Sequence, residues 1–147
     1  MNWTVVIWCC RLLIGGVLLA SALGKSLDMP GFVDVLVTYR LFPDWSLWLL
    51  ALGIIGIEWV LAAWILVGWR LSTGALLALS LNGLYAIGLV VTLLRGLDLP
   101  NCGCYGMFFP QPLQWYSPLE DFVLAGICLV LRVGAKRSDR PLDKILQ

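Results

Sequence analysis

The chain contains no histidine, which counts against the commonest zinc and haem ligation and against imidazole acid–base chemistry. It has little charge: 10 Lys and Arg against 9 Asp and Glu, 13% of 147 residues. With 61% hydrophobic residues and a mean hydropathy of +0.91, it is too apolar for a soluble domain of this length. A net charge of +1 gives nucleic acid nothing to hold. Chemistry is left to cysteine, carboxylate, lysine, tyrosine or a bound cofactor. What is abundant fits a bilayer: eight tryptophans suit a protein with two membrane interfaces, where indole rings settle at headgroup depth.

The hydropathy pattern predicts an all-α membrane protein, a bundle of four transmembrane helices. A bilayer core needs about 20 apolar residues. Spans are expected at about residues 3–24, with the single charge Arg11, at 45–69, with the single charge Glu58, and at 71–95. Only Trp69-Arg70 separates the second span from the third, which predicts a tight antiparallel hairpin. A fourth, at 118–135, opens on Ser117-Pro118-Leu119-Glu120, a capping-box sequence with proline at the first helical position, and continues through the apolar run from Phe122 to Leu131. Residues 1–135 then form one transmembrane domain and 136–147 a short basic tail.

Arg70, Arg132, Lys136, Arg137, Arg140 and Lys144 fall on one side, and Lys25, Arg40 and Arg95 on the other. The positive-inside rule therefore places both termini in the cytoplasm and loops one and three outside. In a bacterium this is the inner membrane with loop three in the periplasm, where disulfides persist. A competing reading takes Arg11, Leu12 to Leu19 and Ala20-Ser21-Ala22 as a cleavable signal peptide. It is disfavoured because the apolar stretch begins before Arg11 and carries no positive charge there. In loop one, Pro30 can open a helix, and Phe32, Val35, Leu36 and Tyr39 recur at helical spacing, so a short surface helix and an ordinary ordered loop both fit.

Arg11 lies eight residues into span one, roughly 12 Å deep, and Glu58 and Asn82 each lie roughly 16 Å deep in their spans. An unpaired charge there costs several kcal/mol or more, which predicts an Arg11–Glu58 pair braced by Asn82. Such a cluster reads as a quinone-headgroup or proton-relay site, or as polar glue fixing helix register; its self-satisfaction favours glue. Gly16, Ala20 and Gly24 on span one, and Gly74, Ala78 and Ala86 on span three, form small-residue stripes expected to pack helix on helix.

Of five cysteines, Cys9, Cys10 and Cys128 sit in spans and read as small apolar fillers. Cys102 and Cys104 differ. They lie in Asn101-Cys102-Gly103-Cys104-Tyr105-Gly106, within a loop also punctuated by Pro100, Pro110 and Pro112. Gly103 lets the backbone turn tightly enough for the sulfurs to meet. The ring so closed is small, and strained, exposed disulfides are oxidising and labile. Lys25 and Arg95 end their spans on the same side and are candidate thiolate stabilisers. Metal binding would leave a four-coordinate site half empty, and a structural bridge over two residues would constrain very little chain.

In order along the chain come Arg11, Ser21-Ala22-Leu23-Gly24-Lys25, Phe32, Tyr39-Arg40-Leu41-Phe42-Pro43, Glu58 and Cys102-Gly103-Cys104-Tyr105-Gly106. This series resembles the MauE family, the methylamine-utilisation membrane proteins, which are related to the wider DoxX-like four-helix proteins. The resemblance implies a membrane protein that works with a periplasmic thioredoxin-like partner on disulfide formation or maturation of an exported, cysteine-rich client. In the methylamine system that client is the disulfide-rich small subunit of methylamine dehydrogenase. No thioredoxin domain follows the fourth span, so the partner is expected to be separate.

The leading expectation is a thiol–disulfide oxidoreductase relay at Cys102 and Cys104, passing electrons to or from a membrane acceptor, with a quinone near Arg11, Glu58 and Asn82 as the candidate. Its weak step is transmembrane transfer, because the outer surface carries a single cysteine pair. The alternatives are a non-catalytic membrane subunit that docks or stabilises a partner, and a DoxX-like quinone-associated oxidoreductase subunit.

Overall fold

The computed structural model describes residues 3–106 and 110–143, and for 138–143 the backbone alone. Among the described residues regular structure is helical throughout. The elements are α1 (Trp3–Leu27), α2 (Met29–Tyr39), a 3-10 turn (Asp44–Ser46), α3 (Leu47–Val67), α4 (Leu71–Leu94) and α5 (Ser117–Asp143). Three helical stretches, Trp3–Leu27, Asp44–Val67 and Leu71–Leu94, are long and apolar enough to cross a membrane. Their outward faces carry residues such as Leu12, Leu49, Val60, Leu84 and Leu94, as expected where lipid is the solvent.

Helix α3 ends at Gly68, whose φ of 82° lets its N–H reach the Trp64 carbonyl at 2.9 Å. Trp69 stacks on Trp64 at 5.8 Å, and α4 starts at Leu71, so the predicted hairpin is present. Helix α1 runs antiparallel to α3, and α4 to α5; residues from all four meet in one apolar core of Ile14, Leu18, Leu61, Ala62, Ile65, Ala75, Ala78, Cys128 and Leu131. Close approach depends on small residues, as the stripe on α4 predicts: Gly74, Ala78 and Ala86 are buried. On α1 only Gly24 of the predicted stripe is buried, and it meets loop three rather than a helix. A side chain at Gly16 would meet nothing and Ala20 is exposed, whereas Gly15 packs under Leu66 and Ala22 is fully buried. Each residue turns a helix by about 100°, so Gly16 and Ala20 point away from the core.

Loop one contains a helix. The Asp28 carboxylate caps α2 by accepting from the Gly31 N–H at 3.0 Å, and Pro30 sits in the first turn. At the other end Arg40 adopts the left-handed conformation (φ 49°). Phe32 and Val33 bury against Leu47, Ala51 and Ile55 of α3, so α2 packs against the N-terminal half of α3.

Helix α5 begins where the sequence places it, yet without the anticipated capping box: the Ser117 hydroxyl accepts from the Gln114 N–H at 3.0 Å. The helix also continues past residue 135 to Asp143, into the expected tail. Lys144, one of the basic residues used for orientation, lies outside the described residues.

Candidate functional site

One buried ion pair organises the loop-three end of the bundle. Lys25 Nζ lies 2.6 Å from Glu58 Oε1, with the two side chains 3% and 0% exposed. Lys25 also donates to Ser21 Oγ at 2.9 Å, one helical turn back on α1. Tyr85 of α4 donates to Glu58 Oε1 at 2.8 Å. Ser21 Oγ stands 2.7 Å from the Cys104 carbonyl and 3.0 Å from Glu58 Oε2, sharing one proton between two acceptors. The ammonium lies 5.3 Å from the ring centres of both Phe32 and Tyr85. The pair is thus satisfied by hydrogen bonds from three helices, the condition under which a buried pair is tolerated.

Arg11 is not its partner. The Arg11 guanidinium donates to the Ile65 carbonyl at 2.9 Å and to the Leu66 carbonyl, and stacks on Trp8 at 4.5 Å. Those carbonyls belong to the last turn of α3, where helical acceptors are free and the dipole end favours a cation. Because α1 and α3 are antiparallel, Arg11 faces the end of α3, while Glu58 faces residues 21–25. Asn82 donates to the Ala78 carbonyl at 2.8 Å and lines a cavity with Glu58, so two of the three polar span residues share a site and Arg11 stands apart.

Loop three sits on this ion pair through backbone. A Cβ at Gly24 would collide with the Tyr105 carbonyl, and one at Gly106 would stand 2.5 Å from the Gly24 carbonyl carbon. Glycine at both positions lets the loop lie against α1. Asn101 braces the thiol turn: its Oδ1 accepts from the Gly103 N–H at 2.9 Å, and its Nδ2 donates to the Gly106 carbonyl at 3.2 Å. Gly103, at φ 73°, makes the turn against Val35 and Phe32 of α2. The Tyr39 hydroxyl donates to the Cys102 carbonyl at 2.6 Å, and the Cys102 N–H to the Gln111 carbonyl at 2.8 Å.

Within this frame the two sulfurs stand 3.0 Å apart as free thiols. The sequence reading puts both at the surface; the structure covers them. Cys102 is 6% exposed, packed with Leu89, Leu99 and Leu113, and Cys104 is partly buried. The two thiols ionise in opposite senses. A hydrogen bond from Cys104 holds the Cys102 thiol down at about 7. The same bond, followed by burial and the Cys102 charge, pushes the Cys104 thiol well up, with Lys25 pulling it partly back. Burial first, then the neighbouring thiols, also raises the Tyr39 phenol.

Lys25, predicted as a thiolate stabiliser, therefore acts on Cys104 from its place beside Glu58. Arg95 does not approach the sulfurs. It donates to the Tyr39 carbonyl at 2.9 Å and the Arg40 carbonyl at 3.3 Å, closing the C-terminus of α2.

Cys102, Cys104, Glu58, Asn82 and Tyr85 line a common cavity of about 30 Å³. That space holds about two waters and no quinone ring. Beside it opens a groove of about 390 Å³ lined by Tyr105, Tyr116, Leu119, Glu120, Val123 and Leu124. Among the described residues, no three Cys, Asp or Glu side chains are grouped to hold a metal ion.

Sequence reasoning missed Tyr85 and gave Ser21, Tyr39, Asn101 and Asp121 no role in the site. Ser21 and Lys25 are spaced i, i+4 on one helix face, and Tyr85 follows Asn82 by three, which is the signal available for them. Asp121 is 7% exposed and lines the cavity.

A family model described as "Methylamine utilisation protein MauE" matches residues 3–134. A methylamine utilization protein MauE of Paracoccus denitrificans is 28% identical over 130 residues, covering 88% of this chain and 70% of the relative. The MauE of Paracoccus versutus is 26% identical over 122 residues, covering 83% of this chain and 66% of the relative. The chain thus spans about two thirds of the length of these proteins. No solved structure matches. Of the residues that carry the family resemblance, Ser21, Gly24, Lys25, Phe32, Tyr39, Glu58 and the Cys102–Gly106 turn converge on the one site; Arg11 does not.

Proposed function

This chain belongs to the MauE family of methylamine utilisation proteins, and from that premise we propose that it is a thiol–disulfide oxidoreductase of the bacterial inner membrane, supporting disulfide formation in an exported, cysteine-rich client. In this reading α1, α3, α4 and α5 all cross the bilayer, residues 1–135 forming the transmembrane domain. The cationic end, with Arg70, Arg132, Lys136 and Arg137, lies in the cytoplasm together with both termini and the tail 136–147. Loop three faces the periplasm, where a separate thioredoxin-like protein is the exchange partner.

The observation that carries the proposal is the 3.0 Å approach of two free thiols that ionise in opposite senses, in a turn fixed by Asn101, Tyr39 and Ser21. When the pair is oxidised, a partner thiolate attacks Cys104 Sγ, which belongs to the less buried of the two residues, and Cys102 leaves as the thiolate its environment favours. A second partner thiol then displaces Cys104. One disulfide is made in the partner as one is broken here, and the reverse sequence oxidises the pair. The exchange is complete between the two thiol pairs, and no step runs through a quinone.

This order of attack makes the two cysteines unequal in a trapping experiment. Cys102→Ser is expected to accumulate a mixed disulfide between Cys104 and the partner on non-reducing gels, whereas Cys104→Ser accumulates far less. Full client maturation with both cysteines replaced would overturn the relay and leave the docking-subunit reading.

A further inference from the structure

Among the described residues, one buried side-chain oxygen at the thiol site has no hydrogen-bond partner. Asp121, on the second turn of α5, is 7% exposed, and its Oδ2 is buried without a hydrogen bond. A buried carboxyl oxygen in that position is costly unless it takes a proton or a donor. Its surroundings can be named from each element packed around the cavity. Helix α1 offers Ser21 and Lys25, α3 offers Glu58, and α4 offers Asn82 and Tyr85. Loop three offers Cys102, Cys104 and Tyr105; Glu120 precedes Asp121 on α5; and Tyr39 of α2 stands over the thiols. Lys25 and Tyr85 are committed to Glu58, Ser21 to Glu58 and Cys104, Asn82 to Ala78, and Tyr39 to Cys102. The exchangeable protons left in the chamber that Asp121 shares are those of the two thiols and of the Tyr105 hydroxyl, and of these the thiols are the groups that exchange chemistry requires to ionise.

We propose that Asp121 is the proton-exchange group of the thiol pair, taking the Cys104 proton through the chamber when Cys104 attacks a disulfide and returning it when Cys104 leaves. The proposal rests on the relay reading for its purpose, though not for its test. The step balances simply. In attack, the Cys104 S–H bond breaks, its proton passes to Asp121 Oδ2, and the sulfur's electron pair forms the new S–S bond as the other sulfur leaves with its own pair. In departure, Cys104 takes back the S–S electron pair and the Asp121 proton. The cavity of about 30 Å³ has room for about two waters to carry that proton. Cys104 needs such a group more than Cys102 does, because its thiol is the one held protonated. Glu58 does not serve, its oxygens being engaged by Lys25, Ser21 and Tyr85.

The test uses the full chain in detergent, with Cys9, Cys10 and Cys128 replaced by alanine and Cys102 by serine, so that Cys104 is the reacting thiol. The reduced protein is mixed with 5,5′-dithiobis(2-nitrobenzoate), and release of the coloured thiolate is followed from pH 6 to pH 10. Asp121→Asn is expected to slow the reaction about a hundredfold at pH 7, the lower end of the range for losing a proton-transfer group, and the deficit should close by pH 10 as hydroxide takes over. Asp121→Glu should recover most of the rate. A purely electrostatic or structural role gives the opposite sign: removing a negative neighbour eases ionisation of the thiol, so Asp121→Asn would react as fast as the parent or faster at pH 7, and the proposal would fall. If Asp121→Asn does not accumulate, Asp121→Ser with and without added formate replaces it; acceleration of the variant alone by formate supports proton exchange, and its absence counts against it. The probe is neither partner nor client, so failure of the relay in cells leaves this result standing, and failure here leaves the trapping result standing.

Discussion

The two ends of the bundle each hold a charge from α1, partly buried at one end and fully at the other, and they handle it differently. At the terminal end Arg11 spends its guanidinium on main-chain carbonyls at the end of α3, above an apolar core in which Cys128 is a small filler with no exposure. At the loop-three end Lys25 meets a carboxylate, and around that pair gather a serine, two tyrosines, an asparagine, a second carboxyl group and two thiols. A cation that closes a helix end is complete in itself. A cation paired with Glu58, by contrast, holds a loop through Ser21, so the thiol turn is positioned by the membrane domain and not by loop three alone. Cysteine follows the same division: apolar packing makes it inert at one end, and a thiol neighbour makes it ionisable at the other.

Breaking one member of each arrangement should separate them most. Glu58→Gln or Lys25→Met strands a buried charge and is expected to cost about 3–5 kcal/mol, with most of it recovered in the double variant Lys25→Met/Glu58→Leu. Arg11→Leu should cost about 1–2 kcal/mol, because the α3 carbonyls it leaves sit at a helix end. Thermal unfolding midpoints in detergent check both, and equal losses would erase the distinction.

A smaller effect probes the seating of the loop. Gly24→Ala pushes a methyl into the Tyr105 carbonyl and should cost about 1–3 kcal/mol. Gly16→Ala, where nothing is within reach, should gain up to about 1 kcal/mol of helix propensity. In Gly24→Ala the alkylation rate of Cys104 should rise as the loop lifts, which a change confined to α1 would not produce.

The gentlest test is titration. Cys102 is held down from 9.0 to about 7, so its ionised form stabilises the fold fully above pH 9, and that contribution is lost as pH falls through about 7. The difference in unfolding midpoint between the reduced protein and Cys102→Ser should therefore shrink from pH 9 to pH 6. Ultraviolet thiolate absorbance should show a step near pH 7 that Cys102→Ser lacks. A step near 9 instead would mean that the two thiols do not share a proton.

Much of this protein is local and was legible in the sequence. The three spans, the hairpin at Trp69-Arg70, the start of α5 and the glycine-spaced thiols follow from run length, hydropathy and turn chemistry, each read over a few residues. The paired partners were not legible, for a rotational reason. A single charge in an apolar helix states its depth but not its azimuth, and one residue of error turns the face by about 100°. Hence Arg11 and Glu58, similar in depth, were predicted to pair, while the antiparallel packing of α1 on α3 gives Glu58 to Lys25 and Arg11 to the end of α3. Sequence by itself determined that this is a helical, lipid-facing chain of the MauE type with one cysteine turn between its apolar segments. Tertiary structure decided that the turn is roofed by α2, seated on a buried ion pair and faced by the unpartnered Asp121, because those contacts join residues tens of positions apart whose meeting depends on how the helices are rotated.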